Sequence, residues 1–108
     1  MSQIIGPGIA DGGYVYVQDA QSMIWVLPDA PHVHPNVLGG GKPALYAGDL
    51  TIQNGSIRDL TNLSGTFQFD DEIGLLAVAD ALEQLGLRID VAAVRFFASD
   101  GSPPVILR

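Results

Sequence analysis

The sequence predicts an α+β domain: an antiparallel sheet of five to seven strands with one helix, at about 71–85, packed on one face. Three observations carry that expectation. Short runs rich in β-branched and aromatic residues recur along the chain, bounded by turn residues. A single Asn-Gly pair, Asn54-Gly55, separates two such runs and marks a tight hairpin. One stretch alone, after Asp70, spaces its apolar residues as a helix does.

In chain order, residues 1–13 hold Gly6, Pro7, Gly8, Gly12 and Gly13 and read as a flexible leader to a single domain over 14–108. Tyr14 to Val17 is a strand, Asp19 to Ser22 its turn, and Met23 to Leu27 the returning strand, stopped by Pro28. This hairpin is apolar on both faces, with Val15, Val17, Ile24 and Val26 expected against Tyr14, Tyr16 and Trp25. Such a sheet needs cover on both sides, from a helix on one and a loop or a partner on the other.

Ala30 to Pro43 contains three prolines and three consecutive glycines and reads as a long loop, of the kind that usually carries function. Strand signals resume at Leu45 to Ala47 and at Asp49 to Gln53, and Asn54-Gly55 reverses the chain. Ile57 is expected opposite Ile52, and Leu60 then falls on the wrong parity, which calls for a bulge near Arg58-Asp59. Thr66 to Phe69 reads as a further strand. In the helix, Asp70 or Asp71 caps the start and Leu75, Leu76, Val78, Ala79 and Leu82 form the buried stripe. Asp80, Glu83 and Gln84 face water, and Gly86 ends the helix. Val91 to Ala98 and Val105 to Leu107 are the closing strands, joined by a turn at Asp100 to Pro103.

Composition narrows the function classes. The 108 residues are 47% apolar, enough for a core that buries roughly two-thirds of the surface an unfolded chain of this size exposes. Five basic residues against 12 acidic ones give a net charge of -7, which repels phosphate backbones and anionic lipid, so neither nucleic acid nor membrane is an expected partner. No secretory leader or membrane-spanning run is visible, and there is no cysteine, so the expected compartment is the cytoplasm.

Several groups could carry chemistry. His32 and His34, one residue apart in an extended segment, project to one side and could hold zinc or copper with Asp29 or Asp49 as a third ligand. Gly39-Gly40-Gly41-Lys42 lacks the hydroxyl residue and the helix that a phosphate cradle needs, and Pro43 follows instead. Asp49 and Asp59, on neighbouring strands, could act as an acid/base pair, whereas Ser64 lies in no nucleophile elbow. Tyr14, Tyr16, Trp25 and Tyr46 would form an aromatic anchor cluster if their face were uncovered.

The pieces His34, Gly39-Gly40, Ala47-Gly48-Asp49-Leu50, Asn54-Gly55 and Ser64-Gly65 resemble a cassette of plant IQ-motif calmodulin-binding proteins and of bacterial effector and polymorphic-toxin proteins. There, a His-containing loop with paired glycines precedes an A-G-[DE]-L strand, an Asn-Gly hairpin and a Ser-Gly-His-Tyr segment before a helix. The resemblance covers about a third of the chain and implies the strand–hairpin–strand–helix order. It carries over no catalytic role, because Thr66-Phe67 stands where that family has His-Tyr, and the chain has no IQ motif.

The functional expectation is a protein-interaction module without a cofactor. It would dock through a sheet face and the 30–43 loop onto a protein or a second copy, with Tyr14, Tyr16, Trp25, His34 and Tyr46 as binding residues. The alternative is a small enzyme or effector domain, metal-dependent or not, using His32, His34 and Asp49.

Overall fold

The computed structural model describes residues 3–28, 44–63 and 71–108. They form an α+β fold of one helix on an open, mostly antiparallel sheet. The elements are β1 (Gln3–Ile4), β2 (Gly12–Asp19), β3 (Ile24–Pro28), β4 (Ala44–Gln53), β5 (Ser56–Thr61), α1 (Glu72–Gln84), β6 (Arg88–Ile89), β7 (Val94–Phe96) and β8 (Val105–Ile106). The strand order is β1-β3-β2-β4-β5-β7-β8, with β6 also on β5. The expected loop at 30–43 and strand at 66–69 lie outside the described residues, as do His32 and His34.

The 1–13 leader is corrected from residue 3 onward. β1 pairs with β3, the Ile5 amide donates to the Ile24 carbonyl at 3.1 Å, and Ile5 is buried in the core. One buried isoleucine and a paired backbone make this segment an integral edge of the sheet.

The β4–β5 hairpin is built as its residues dictate. Asn54 and Gly55 take φ of 54° and 76°, the pair of left-handed conformations a type I′ turn needs. Asp11 reaches across to accept from both turn amides, at 2.9 Å from Asn54 and 3.2 Å from Gly55. Ile52 stands opposite Ile57, Thr51 opposite Asp59, and the register shifts between them, so Arg58 is the extra residue of the bulge.

Helix α1 begins at Asp71, whose carboxylate accepts from the Ile73 amide at 3.0 Å, and Gly86 ends it with φ of 96°. Leu75, Val78, Ala79 and Leu82 are buried, and Asp80, Glu83 and Gln84 face solvent. The helix joins β5 to strands that run parallel to it, as a β–α–β connection must when it returns the chain to the same end of the sheet. These two pairings are the parallel ones in a sheet that is otherwise antiparallel, as the sequence predicts.

Of the strand expected over Val91 to Ala98, only Val94 to Phe96 forms one, β7; Val91 and Ala92 lie in the turn that separates it from β6, and both strands pair with β5. Val91 is 97% exposed and Ala92 takes φ of 61° in that turn. Four residues of β5 (from Ile57 to Leu60) face six of its partner (from Ile89 to Val94), so two must be looped out.

β3 and β4 flank β2 and each runs antiparallel to it, so they run parallel to one another.

The main core fills the space between α1 and the sheet, with Tyr14, Tyr16, Ile24, Val26, Tyr46, Leu50, Ile52, Ile57 and Leu60 from the strands. A second, smaller cluster of Val15, Val17, Leu27 and Ala47 is buried separately, with Trp25 and Ala44 packed against it. Alternate residues of a strand point to opposite faces, so this second cluster belongs to the face away from the helix.

Candidate interaction face

The tyrosines expected to anchor a partner are pillars of the core. Tyr14, Tyr16 and Tyr46 are buried, and each hydroxyl donates to a main-chain carbonyl: Ala10 at 2.7 Å, Thr61 at 2.7 Å and Asp71 at 2.8 Å. A phenol enters an apolar core cheaply only when its hydroxyl finds such a partner. Burial pushes the Tyr16 pKa well above 10.0, with the neighbouring Tyr46 and Asp49 adding to the rise. These three residues are corrected from surface binding groups to core.

Two glycines make room for them. A Cβ on Gly48 would fall on the Thr61 carbonyl, 2.8 Å from its carbon and 2.9 Å from the Tyr16 hydroxyl oxygen. A Cβ on Gly74 would lie 2.6 Å from the Tyr46 ring, so glycine in the first turns of α1 lets the helix settle onto that ring.

The face assignment expected for the first hairpin is corrected as well. Tyr16 stands opposite Val26 and Val17 opposite Trp25, so the tyrosines share a face with Ile24 and Val26, and Trp25 shares one with Val15, Val17 and Leu27. The connection closes between Asp19 and Met23, with the Asp19 amide donating to the Met23 carbonyl at 2.9 Å. That is one residue longer than the Asp19 to Ser22 turn, and a one-residue slip in register exchanges the faces.

Trp25 is the one predicted anchor that remains at the surface, and Asp19 sets its orientation. One carboxylate oxygen accepts from the Gln21 and Met23 amides at 2.9 Å each, holding the turn, while the other accepts from the indole N–H at 2.9 Å. A cross-strand row runs Ile4, Trp25, Val17, Ala47 over four neighbouring strands. Val17 and Ala47 are closed off, Trp25 is half-buried, and Ile4 is 43% exposed at the margin. Met23, two residues before Trp25, is 40% exposed. Sequence reasoning found Trp25 but missed Ile4 and Met23, because Ile4 joins the row only through the β1–β3 pairing.

The predicted carboxylate pair separates in role. Asp49 is half-buried opposite Val15 on the face away from the helix. Asp59 accepts two bonds of 2.7 Å from the Arg95 guanidinium, which also stands 5.2 Å from the centre of the Phe97 ring. The hydrogen bond to Asp59 pushes the Arg95 pKa up further, against a smaller lowering by burial. A carboxylate held this way is an ion-pair partner rather than a free base. Nearby, the Asn62 side-chain amide donates to the Phe97 carbonyl at 2.8 Å and accepts from its amide at 2.7 Å, continuing the β5–β7 pairing through a side chain.

Among the described residues, no three His, Cys, Asp or Glu side chains come together in a way that could hold a metal ion. No helix among them is long and apolar enough to cross a membrane. Comparisons of the chain with protein-family models, with curated proteins and with solved structures find no match.

Proposed function

We propose that this chain is a protein-interaction module that docks on a second copy of itself through the Ile4–Met23–Trp25 margin of the face opposite α1, with the 30–43 loop and His34 contributing. The observation that carries the reading is the state of that margin. An aromatic side chain stands half-buried at the surface with its polar edge already fixed by Asp19, and the exposed apolar Ile4 and Met23 lie opposite it and two residues before it. Preorganised aromatic anchors beside exposed apolar neighbours are what association uses, because little rotamer freedom is left to lose.

Charge selects the occupant. The exposed residues around the strip, Gln3, Ala20, Gln21 and Ser22, are uncharged, and Asp19 is engaged by the turn and the indole. Much of the negative charge lies elsewhere, including Asp71, Glu72, Asp80 and Glu83 on the helix and Asp11 and Asp100 in turns. Two copies can therefore meet at the strip without apposing carboxylates, whereas a basic partner would be drawn to other surfaces. A standard interface covers about 800 Å² on each side. Three side chains fall short of that, so the association is weak and the repulsion between two chains of charge -7 weakens it further at low salt.

Trp25 is the only tryptophan, so its emission reports on this surface directly. Sedimentation velocity should show a dimer whose population rises with protein concentration and with salt, accompanied by a blue shift of the emission. Ile4→Lys and Met23→Lys should each return the protein to monomer with an unchanged far-UV spectrum. A monomer at every concentration, or a dimer indifferent to both substitutions, overturns the proposal. A monomer carrying stoichiometric metal would instead favour the reading built on His32, His34 and Asp49.

A further inference from the structure

We propose that Asn54 is a site of spontaneous covalent modification, in which the Gly55 backbone nitrogen attacks the Asn54 side-chain amide, and that the Asp11 carboxylate sets its rate. Three observations meet at this turn. Asn54 and Gly55 are both exposed. Gly55 has no side chain to hinder approach to its nitrogen, and nothing lies within 4 Å of where a Cβ would be. Asp11, from a segment 43 residues away in the chain, grips both turn amides, including the nitrogen that must attack.

The chemistry needs only water. A bond forms between the Gly55 nitrogen and Asn54 Cγ as the bond from Cγ to the side-chain nitrogen breaks. That nitrogen leaves as ammonia, taking the proton that Gly55 gives up. Water then opens the five-membered ring at either carbonyl, giving aspartate or isoaspartate at position 54.

Asp11 opposes the first step in two ways. The Gly55 nitrogen must shed its proton to attack, and a carboxylate 3.2 Å away disfavours the negative charge that develops there. The second bond, to the Asn54 amide, holds the turn in its left-handed geometry and resists the rotation that would bring the nitrogen onto Cγ. Asn62 offers a contrast within the molecule, because its amide is engaged by the Phe97 backbone and its following residue, Leu63, is branched.

The product has structural consequences. Isoaspartate adds one backbone carbon inside a turn that fixes the Gln53–Ser56 and Ile52–Ile57 pairs, and both isoleucines are buried. Either product places a new carboxylate beside Asp11. The modified hairpin must therefore loosen where it contributes to the core.

The test is peptide mapping by mass spectrometry, with isoaspartate detection, on the full chain held at mildly alkaline pH. Wild type is compared with Asp11→Ala and with Asp71→Ala, which loses the helix cap but leaves the turn intact. Asn54 should convert ahead of Asn62, Asp11→Ala should accelerate it roughly tenfold, as loss of a charge-assisted hydrogen bond implies, and Asp71→Ala should keep the wild-type rate. Conversion of Asn54 no faster than Asn62, an unchanged rate in Asp11→Ala, or equal acceleration in Asp71→Ala overturns the proposal. The last result would mean that general loosening of the fold, and not the Asp11 contact, controls the reaction.

Discussion

Gly48→Ala should be among the most damaging single-methyl changes in this chain. The added Cβ would sit on the Thr61 carbonyl, 2.8 Å from its carbon and 2.9 Å from the Tyr16 hydroxyl oxygen, closer than such atoms approach in folded proteins. Relief requires either the backbone of β5 to move away from β4 or the Tyr16 phenol to abandon its bond to Thr61. Overpacking of this kind costs about 1–3 kcal/mol. Leaving a buried hydroxyl and carbonyl without each other adds about 1–3 kcal/mol more. The alanine recovers about 0.4–1 kcal/mol through the unfolded chain. The net loss is about 1–6 kcal/mol, against the 5–15 kcal/mol that holds a typical domain. At roughly 4–8 °C per kcal/mol for a domain of this size, the melting temperature should fall by about 4 °C or more. Urea unfolding should show a lower midpoint with an unchanged slope. Gly55→Ala is the control, because its Cβ meets nothing and the cost is only that of a left-handed backbone at φ of 76°, about 1–2 kcal/mol. A Gly48→Ala protein as stable as wild type, or more stable than Gly55→Ala, would refute the reasoning.

Gly74→Ala pits helix propensity against packing. Alanine should gain about 1 kcal/mol in a helix interior, but its Cβ would meet the Tyr46 ring at 2.6 and 2.7 Å, so thermal melts should show net destabilisation. Tyr16 gives the fold a defined alkaline limit. Its folded pKa lies above the 10.0 of the free side chain, so its contribution is fully present below about pH 10. Above that pH the unfolded chain releases a proton that the folded one keeps, and stability falls as pH rises. Urea titrations from pH 8 to 11 should show that decline, and Tyr16→Phe should flatten it while lowering the plateau by about 1 kcal/mol.

Local chemistry made much of this fold legible. Asn54-Gly55 forces its own turn, and the parity of Ile57 and Leu60 requires the bulge at Arg58. Asp71, the apolar stripe and Gly86 bound the helix to within a residue of its observed ends. The errors came where a long-range partner decides. Tyr14, Tyr16 and their neighbours alternate between two apolar faces, so alternation could not say which face the helix covers. One additional residue in the connection closed by Asp19 and Met23 then reversed the grouping. Gly48 reads as an ordinary strand glycine until the approach of Thr61 is known, and the leader gains its place only through the pairing of β1 with β3. The parallel pairing of β5 with β6 and β7 follows from where the helix returns the chain, which no single segment encodes. Of the proposed binding residues, Trp25 alone lies at the surface among the described residues: Tyr16 and Tyr46 are drawn inward by carbonyls distant in sequence, Tyr14 bonds the nearby Ala10 carbonyl, and His34 lies outside the described residues.

The most direct test of the interaction reading is native mass spectrometry combined with sedimentation velocity over a range of protein concentrations, with no chelator present. The account predicts a weak, metal-free dimer that strengthens with salt and is abolished by Ile4→Lys. A strict monomer at all concentrations, or a dimer that tolerates charge at Ile4 and Met23, would contradict it.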